Sequence, residues 1–373
     1  MRFGYMHLMP YSEIAESGQD WPVANWRFDP VRGAELYDAY IANMAHAERC
    51  GFDWVGCNEH HMSPYGLMSN PNIIGAALIQ RTKRIEIAIV GSLVPLLNPL
   101  RVAEEYAMLD VMSRGRLIAG LLRGIPHEYV AYNIAPDESH ERLEEAVTLI
   151  KKAWTAAEPF GWEGKYYQFR AVSIWPRPFS KPHPRILMSG SNEQSAEMCA
   201  RHGAMLGLVA LEDLERARHL IKVYRDAAKG FGWEPTPDDI LVGLSMSLSE
   251  DREEAKERMA KGRKYFGEVL GGGIRTAQKL VVQKTRYFDD STKGRWKDIA
   301  AQMRTTTMDD LIARRTILCG TPEDVVTQIK DIHKAIGHGR MNLNMKIGNI
   351  ANDVTTSGLE LFGQRVLPHV RDL

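Results

Sequence analysis

The feature that most constrains the fold is the alternation of short apolar, β-rich runs with amphipathic segments along most of the chain. Strands that alternate with helices pair in parallel through right-handed crossovers, and eight such units close into a barrel. The sequence therefore predicts an α/β fold, a (β/α)8 TIM barrel with insertions; an open doubly wound sheet is the alternative. The eight predicted strands are Arg2–Met9, Trp54–Asn58, Ile85–Leu93, Arg116–Leu122, Arg185–Ser189, Met205–Ala210, Ile240–Leu248 and Met341–Ile347. Predicted helices, with apolar residues three and four positions apart, include Ala34–Cys50, Arg101–Met112, Glu141–Thr155, Gln194–His202 and Leu214–Lys229.

The length and charge of the chain limit its domain number and its partners. A chain of 373 residues fits one barrel with insertions, so we expect a single domain over residues 1–373. The 47 basic and 47 acidic side chains balance, which leaves no net field to recruit nucleic acid or an anionic membrane surface. This composition favours small neutral or modestly charged molecules as partners.

Cysteine usage and the first residues favour a cytoplasmic protein. The four cysteines, Cys50, Cys57, Cys199 and Cys319, form neither a Cys-x-x-Cys pair nor a zinc knuckle, so we expect reduced thiols in the core. No apolar stretch of signal length follows a basic N-terminal region, and no window approaches the roughly 20 apolar residues that cross a bilayer. We therefore expect a soluble, cytoplasmic protein.

Two segments interrupt the alternation. Residues 159–184 are rich in Pro, Gly and aromatic side chains, which is typical of a packed connection with a small hairpin. Residues 261–315 contain GGG at 271–273 and many charges, and they are too long for an ordinary βα loop. This segment is the largest insertion and follows the seventh predicted strand, so it would lie over the mouth of the barrel. We expect it to act as a lid.

The second predicted strand ends abruptly in Asn58, Glu59, His60 and His61. Buried polar groups are costly unless they are paired, and barrel enzymes place their chemistry where the strands end. Successive side chains on an extended segment point in opposite directions, so at most one of the two histidines should face the barrel centre. A metal site is disfavoured, because no second acid or histidine stands at ligand spacing nearby.

The end of the fifth predicted strand combines glycine, hydroxyl groups and a helix start. In LMSGSNEQSAEMCA, the residues Gly190, Ser191 and Asn192 precede a helix that carries Ser195 in its first turn. Free backbone N–H groups at a helix start, together with serine donors, make a phosphate cradle. Ordinary N-capping by Ser191 or Asn192 explains the same residues without a ligand, and both interpretations stay open at this point.

Two further strand ends carry candidate ligand-binding residues. Arg123 follows the fourth strand, where its planar fork could reach a phosphate or form a structural ion pair with Glu128. Gly91, near the end of the third strand, either lets a flat ligand approach the backbone or relieves crowding in the barrel. The chain has no Walker A and no Gly-x-Gly-x-x-Gly pattern, which disfavours a nucleoside triphosphate or a two-domain dinucleotide enzyme.

Five longer segments carry a family resemblance. They read EHHMSPYGLMSNP, VPLLNPLRVAEEYAMLDVMSRGRLIAGLLRG, PHPRILMSGSNEQSAEMCARHGA, CGTPEDVVTQI and GLELFGQRVLPHVR. In this order they resemble the bacterial luciferase-like flavin-dependent monooxygenase family, and they cover most of the chain outside residues 230–310. The first segment is especially similar to the catalytic luciferase subunit. Leu122 stands where the family's luciferases carry a reactive cysteine, so thiol chemistry is not expected there.

The resemblance implies a barrel that binds reduced FMN at its mouth, with the flavin supplied by a separate NAD(P)H:flavin reductase. Dioxygen would then form a peroxyflavin that oxygenates a small organic substrate. His60 would be the catalytic acid–base, since imidazole titrates near neutrality, and a non-prolyl cis peptide would fall near Val90-Gly91. The implied cofactor-binding residues are Val90, Gly91, Arg123, Gly190, Ser191, Asn192 and Ser195, and the expected substrate-pocket residues are Asn58, Glu59 and His7.

Three functions remain open from the sequence. The first is an FMN-dependent monooxygenase that hydroxylates a small, largely apolar compound or inserts oxygen beside a carbonyl, as in Baeyer–Villiger oxidation. The second is a deazaflavin-dependent oxidoreductase that transfers hydride and ignores dioxygen, and the third is a non-catalytic flavin-binding subunit. By analogy we expect a homodimer or higher homo-oligomer, for which the apolar helices Asn72–Arg81 and Arg101–Met112 are candidate faces.

Overall fold

The computed structural model describes residues 1–14, 21–282, 284–286 and 306–373, which contain eleven strands and twelve α-helices. The strands are β1 (Arg2–Met6), β2 (Trp54–Cys57), β3 (Glu86–Leu93), β4 (Leu117–Leu122), β5 (Phe160–Glu163), β6 (Gln168–Val172), β7 (Arg185–Ser189), β8 (Met205–Leu208), β9 (Ile240–Leu248), β10 (Ile317–Gly320) and β11 (Arg340–Asn344). The helices are α1 (Pro30–His46), α2 (Pro71–Arg81), α3 (Pro99–Ser113), α4 (Pro126–Ala131), α5 (Ser139–Thr155), α6 (Glu193–Arg201), α7 (Leu214–Gly230), α8 (Arg252–Tyr265), α9 (Gly272–Ala277), α10 (Met308–Ala313), α11 (Pro322–Ile336) and α12 (Asn352–Leu361).

Eight parallel strands close into a barrel, in the order β1-β2-β3-β4-β7-β8-β9-β11. β11 pairs with both β9 and β1, which closes the ring, and helices surround it. The predicted (β/α)8 barrel is therefore confirmed, and the open doubly wound sheet is wrong. All eight predicted strands belong to this ring.

The ninth strand of the sheet, β10, is not predicted by the sequence pattern. It pairs with the last four residues of β9, whereas β11 pairs with the first part of β9. β10 contains four residues, and so short an apolar run cannot be told from a buried helix segment by periodicity. The predicted first strand is also too long: it ends at Met6, because Met9 has a φ of 43° and its N–H donates to His7 Nδ1 at 2.8 Å.

Local sequence explains where the first three helices begin. Each starts with a proline at its first position, preceded by a residue whose side-chain oxygen accepts hydrogen bonds from the helix start, namely Asp29, Asn70 and Asn98. These side chains satisfy backbone donors that the helix itself cannot, and proline lacks an N–H that would need a partner. The cap at Asp29 is why α1 starts four residues before the predicted Ala34.

A buried arginine closes the amino-terminal end of the barrel. Arg340, the first residue of β11, has no solvent exposure, and its guanidinium donates to Glu86 at 2.8 Å and to Asp238 at 2.9 Å. Glu86 begins β3, three strands away around the ring, so these bonds span the end of the barrel. Arg185 at the start of β7 also bonds Asp238. Ion pairs therefore close this end of the barrel among the described residues.

The two irregular segments have different outcomes. In residues 159–184, β5 and β6 form an antiparallel pair, so the predicted hairpin is confirmed. Of the predicted lid at 261–315, the structure describes the end of α8 and the whole of α9 and α10, whereas 283 and 287–305 lie outside the described residues. All four cysteines are free thiols, three of them buried. Among the described helices, none combines the length and the apolar character required to cross a bilayer.

Candidate functional site

A cavity of about 850 Å³ occupies the end of the barrel where the strands finish. Residues at the ends of β2, β3, β4, β7, β8 and β11, or directly after them, line it, together with residues of α8 and α9. Its volume lies near the top of the range of roughly 300–1,000 Å³ for sites that hold one drug-sized ligand. The cavity can therefore hold a large ligand and a smaller one together.

His60 faces this cavity and is paired with a buried carboxylate. Its Nδ1 lies 2.9 Å from Glu128 Oε1, and Glu128 has no solvent exposure. The other Glu128 oxygen accepts from the Ile125 N–H at 3.0 Å, which fixes the carboxylate. A carboxylate at Nδ1 holds the proton on that nitrogen, so Nε2 is the basic nitrogen of the neutral ring. Nε2 lies 2.7 Å from Asn58 Nδ2, a donor that suits it.

The neighbouring residues Glu59 and His61 form a second buried pair next to His60. His61 does not line the cavity; its Nε2 lies 2.8 Å from Glu59 Oε1 and its Nδ1 lies 3.1 Å from the Tyr132 hydroxyl. The second Glu59 oxygen accepts from the Leu93 N–H at 3.1 Å, which ties the end of β2 to the end of β3. As the alternation of side chains predicts, one of the two histidines faces the centre and the other packs.

His7 is not brought to the cavity. Its side chain has no solvent exposure, its ring lies 4.5 Å from the Tyr40 ring, and it is absent from the cavity wall. Burial lowers the pKa of His7 well below its usual value, which keeps the ring neutral and lets Nδ1 accept the Met9 N–H. The side chain therefore shapes the turn after β1 and does not face a substrate.

The start of α6 lines the cavity with hydrogen-bond donors. Asn192 caps the helix, since its Oδ1 accepts the Ser195 N–H at 2.8 Å and its own N–H donates to Ser195 Oγ at 3.0 Å. Within the described chain, nothing accepts from the N–H groups of Glu193 and Gln194. Capping and a phosphate cradle are thus compatible, because the cap uses one donor and leaves two.

A second guanidinium reinforces this end of the cavity. Arg216, in the first turn of α7, donates to the Ser191 carbonyl at 2.6 Å, and Arg123 lies within 3.4 Å of the Ser139 hydroxyl. Arg216, Ser191 and Arg123 all line the cavity. Gly190 does not, and a Cβ there would lie 2.1 Å from Leu206 Cδ1, so this glycine serves packing behind the loop.

The peptide between Val90 and Gly91 is cis, as predicted, and both residues line the cavity. A Cβ at Gly91 would lie 2.7 Å from the Gly120 carbonyl oxygen and 2.3 Å from Leu122 Cδ1. Crowding between β3 and β4 therefore accounts for this glycine, while the same backbone forms part of the cavity wall.

Several cavity residues were missed by the sequence reasoning. Asn342 and Asn344 could have been predicted. They alternate with apolar residues along β11, so both asparagines lie on the same face of the strand. His127 had no such signal: burial lowers its pKa to about 4, and its ring lies 5.3 Å from the Trp21 ring. No sequence motif marked Arg216, Arg263 or Lys264, and Glu128 was considered only as an ion-pair partner of Arg123.

A family model for luciferase-like monooxygenases matches residues 1–339. The chain belongs to this family. As a luciferase-like monooxygenase family member, it is 24% identical over 336 residues to the alkanal monooxygenase alpha chain of Photorhabdus luminescens, covering 87% of this chain and 89% of that protein.

Solved structures share the fold of this family member over nearly the whole chain. The monooxygenase RslO1 of Streptomyces bottropensis is 28% identical with a TM-score of 0.78, and 99% of each chain is covered. The oxygenating constituent of 3,6-diketocamphane monooxygenase of Pseudomonas putida, solved with FMN, is 20% identical with a TM-score of 0.74, covering 99% and 98%. An F420-dependent secondary alcohol dehydrogenase is 19% identical with a TM-score of 0.71, covering 100% and 99%. At these low identities the last two show the fold alone.

The residues of this family member fit a phosphorylated flavin. Two guanidinium groups and the Ser191 hydroxyl line the cavity next to the capped start of α6, and these donors suit a dianionic phosphate. Because Gly91 has no side chain, a planar ring can lie close to the Val90-Gly91 backbone in the cavity wall. Both features line one cavity, so one ligand can use them together.

Proposed function

We propose that the protein is an FMN-dependent monooxygenase that uses dioxygen and reduced FMN from a separate flavin reductase. It would hydroxylate a small organic substrate or insert oxygen beside its carbonyl. The observation that carries the proposal is the convergence of the His60–Glu128 pair, Arg123 and the start of α6 on one cavity. A histidine poised for proton transfer then faces the same space as a phosphate anchor.

Each group has a distinct task in this proposal. Arg123, Ser191 and the N–H groups of α6 bind the phosphate, while the Val90-Gly91 backbone supports the flavin ring. Bound reduced FMN supplies the electrons for dioxygen activation. His60 Nε2 accepts or returns a proton in the cavity, and Glu128 orients the ring and stabilises its charged form. The apolar walls exclude water, which limits unproductive loss of the activated oxygen.

Direct assays test this function. The protein is mixed with reduced FMN, isotopically labelled dioxygen and a panel of aldehydes, ketones, terpenoids and aromatic compounds. We expect label in at least one product and consumption of dioxygen coupled to it. Dioxygen consumption that returns only hydrogen peroxide with every compound would contradict a monooxygenase.

The alternative is an oxidoreductase that transfers hydride to or from a deazaflavin. Its support is the fold shared with the F420-dependent secondary alcohol dehydrogenase. Incubation with F420 and a panel of secondary alcohols separates the two functions, because hydride transfer changes the deazaflavin absorbance without dioxygen. The third candidate, a non-catalytic subunit, is disfavoured by the fixed His60–Glu128 pair.

Substitution of Arg123 by methionine tests the phosphate anchor. A hydrogen bond to a charged group contributes about 1.5–3 kcal/mol, so the affinity for FMN should fall roughly 10- to 100-fold. Riboflavin, which lacks the phosphate, is the matched control, and its weaker binding should change little. Quenching of flavin fluorescence measures both. Equal losses for the two ligands would show that Arg123 supports the fold of the cavity and does not bind phosphate.

A homo-oligomer remains part of the proposal. Ile73 on α2 and Met108 on α3 expose 66% and 50% of their surfaces. Val111 and Met112, which are also exposed, extend the apolar surface of α3. Burial of such apolar side chains between two copies would stabilise a dimer. Light scattering after size-exclusion chromatography measures the mass, and a monomer at micromolar concentration would contradict this.

A further inference from the structure

Arg263 is an unpaired cation in the cavity wall. It lies in the last turn of α8, is partly buried, and lines the cavity. Its guanidinium makes no hydrogen bond or ion pair with any residue that the structure describes. Burial lowers the pKa of Arg263, and no acidic group offsets that effect. Buried arginines are normally paired, because desolvation of a lone charge is costly. An anion bound in the cavity would remove this cost.

The position of Arg263 separates it from the phosphate anchor. The preceding residue, Gly262, packs against the chain that follows β11; a Cβ there would lie 2.7 Å from the Ile347 carbonyl oxygen. Arg263 therefore sits beside the exit of β11. β11 and β4 are four strands apart in a ring of eight, so Arg263 and Arg123 belong to opposite walls. His60, which follows β2, is two strands from each.

The wall below Arg263 is polar as well as apolar. Asn342 and Asn344 line the cavity from β11, and their amide oxygens have no hydrogen-bond partner among the described residues. Phe266 and Ile347 contribute apolar surface beside them. The acids that line the cavity near His60 are already engaged, Glu59 with His61 and Glu128 with His60. Arg263 is thus available to a ligand.

We propose that Arg263 binds the carboxylate of a small organic-acid substrate, on the wall opposite the FMN phosphate anchor. The planar fork of arginine matches the two carboxylate oxygens. Asn342 and Asn344 hydrogen-bond polar substituents of the same molecule, and the apolar surface packs on its body. The inference rests on the proposed FMN-dependent function and narrows its substrate from a largely apolar compound to an anionic one.

Pairs of carboxylates and their neutral amides test the assignment. Benzoate with benzamide, naphthoate with naphthamide, and cyclohexanecarboxylate with cyclohexanecarboxamide are titrated calorimetrically into the full-length protein, with and without FMN. For at least one pair we expect the carboxylate to bind at least about tenfold more tightly, the range of one charged hydrogen bond. Arg263→Met should lower carboxylate affinity roughly 10- to 100-fold and leave amide affinity nearly unchanged.

Two further variants control the comparison. Lys261→Met removes the same charge from an exposed position of α8, and it should leave the preference for carboxylates intact. Arg263→Lys keeps the charge but loses the planar fork, so its loss should be smaller than that of Arg263→Met. Thermal melting confirms that each variant is folded, and Arg263→Lys serves as the test if Arg263→Met does not fold.

Three results would overturn the proposal. These are equal affinities within every pair, an unchanged preference in the Arg263 variants, and a loss of FMN affinity in Arg263→Met with carboxylate binding intact. The last result would assign Arg263 to the flavin. Failure of the wild-type protein to bind FMN would refute the proposed function instead, and the titrations without FMN would still decide whether Arg263 selects carboxylates.

Discussion

Replacement of His60 by alanine is expected to lower turnover about 10²- to 10⁴-fold, the range that general acid–base groups contribute. FMN affinity should change little, because His60 follows β2 whereas the phosphate anchor follows β4 and β7. The measurement is product formation from reduced FMN, dioxygen and a compound that the wild-type protein oxygenates, with flavin fluorescence as the binding readout. Unchanged product formation would remove His60 from the mechanism.

Glu128→Gln is the matched variant for this experiment. Glutamine retains an oxygen that can accept from His60 Nδ1 but removes the charge that stabilises the protonated ring. We expect activity between that of the wild type and that of His60→Ala, because the hydrogen bond that orients the ring is kept and the charge is lost. Activity equal to that of the wild type would mean that the charge of Glu128 has no part in the reaction.

Arg340→Met should cost about 1.5–3 kcal/mol of unfolding free energy, since it removes the charged hydrogen bonds of a fully buried guanidinium, while Glu86 and Asp238 are partly exposed and keep Arg2 and Arg185 as partners. Urea unfolding at neutral pH measures this, provided the transition is two-state. Arg365→Met is the control: Arg365 is exposed and contacts Glu250 at 3.4 Å and Glu323 at 3.1 Å, so its loss should stay below about 1 kcal/mol. Similar losses for both variants would contradict a special role of the buried arginine.

The stability difference between Arg340→Met and wild type should also depend on pH. Burial alone would raise the pKa of Asp238, but hydrogen bonds from Arg340 and Arg185 lower it below its usual value of 3.8. A lowered pKa stabilises the folded state above the unfolded-state pKa, and this contribution is lost as pH falls through the folded-state value. The two unfolding free energies should therefore converge below about pH 4. A constant gap would assign the effect to packing.

The sequence predicted the barrel because its periodicity reports which faces are buried, and burial is the dominant force in folding. It also located His60 and Arg123, because in a parallel barrel the strand ends must meet at one rim. Glu128 could not be chosen as the partner of His60: sixty-eight positions separate them, and only the crossing of two loops brings the side chains together.

Other features depended on information that a single sequence lacks. In the sequence, Arg340 is an ordinary charged residue at the start of a strand. Only the folded barrel shows that Glu86 of β3 lies within hydrogen-bond distance of it. Arg263 lies in a segment without family resemblance, so no motif marked it. For His7 the position after a strand was misleading. Its side chain is buried and accepts the Met9 N–H in the turn that follows β1.

The bonds of Arg340 close the amino-terminal end of the barrel, so cofactor, dioxygen, substrate and product would all use the carboxyl-terminal mouth where the cavity lies. A substrate bound at Arg263 would occupy part of this mouth, so an excess of substrate should slow the arrival of fresh reduced flavin. Steady-state rates would then pass through a maximum as substrate concentration rises.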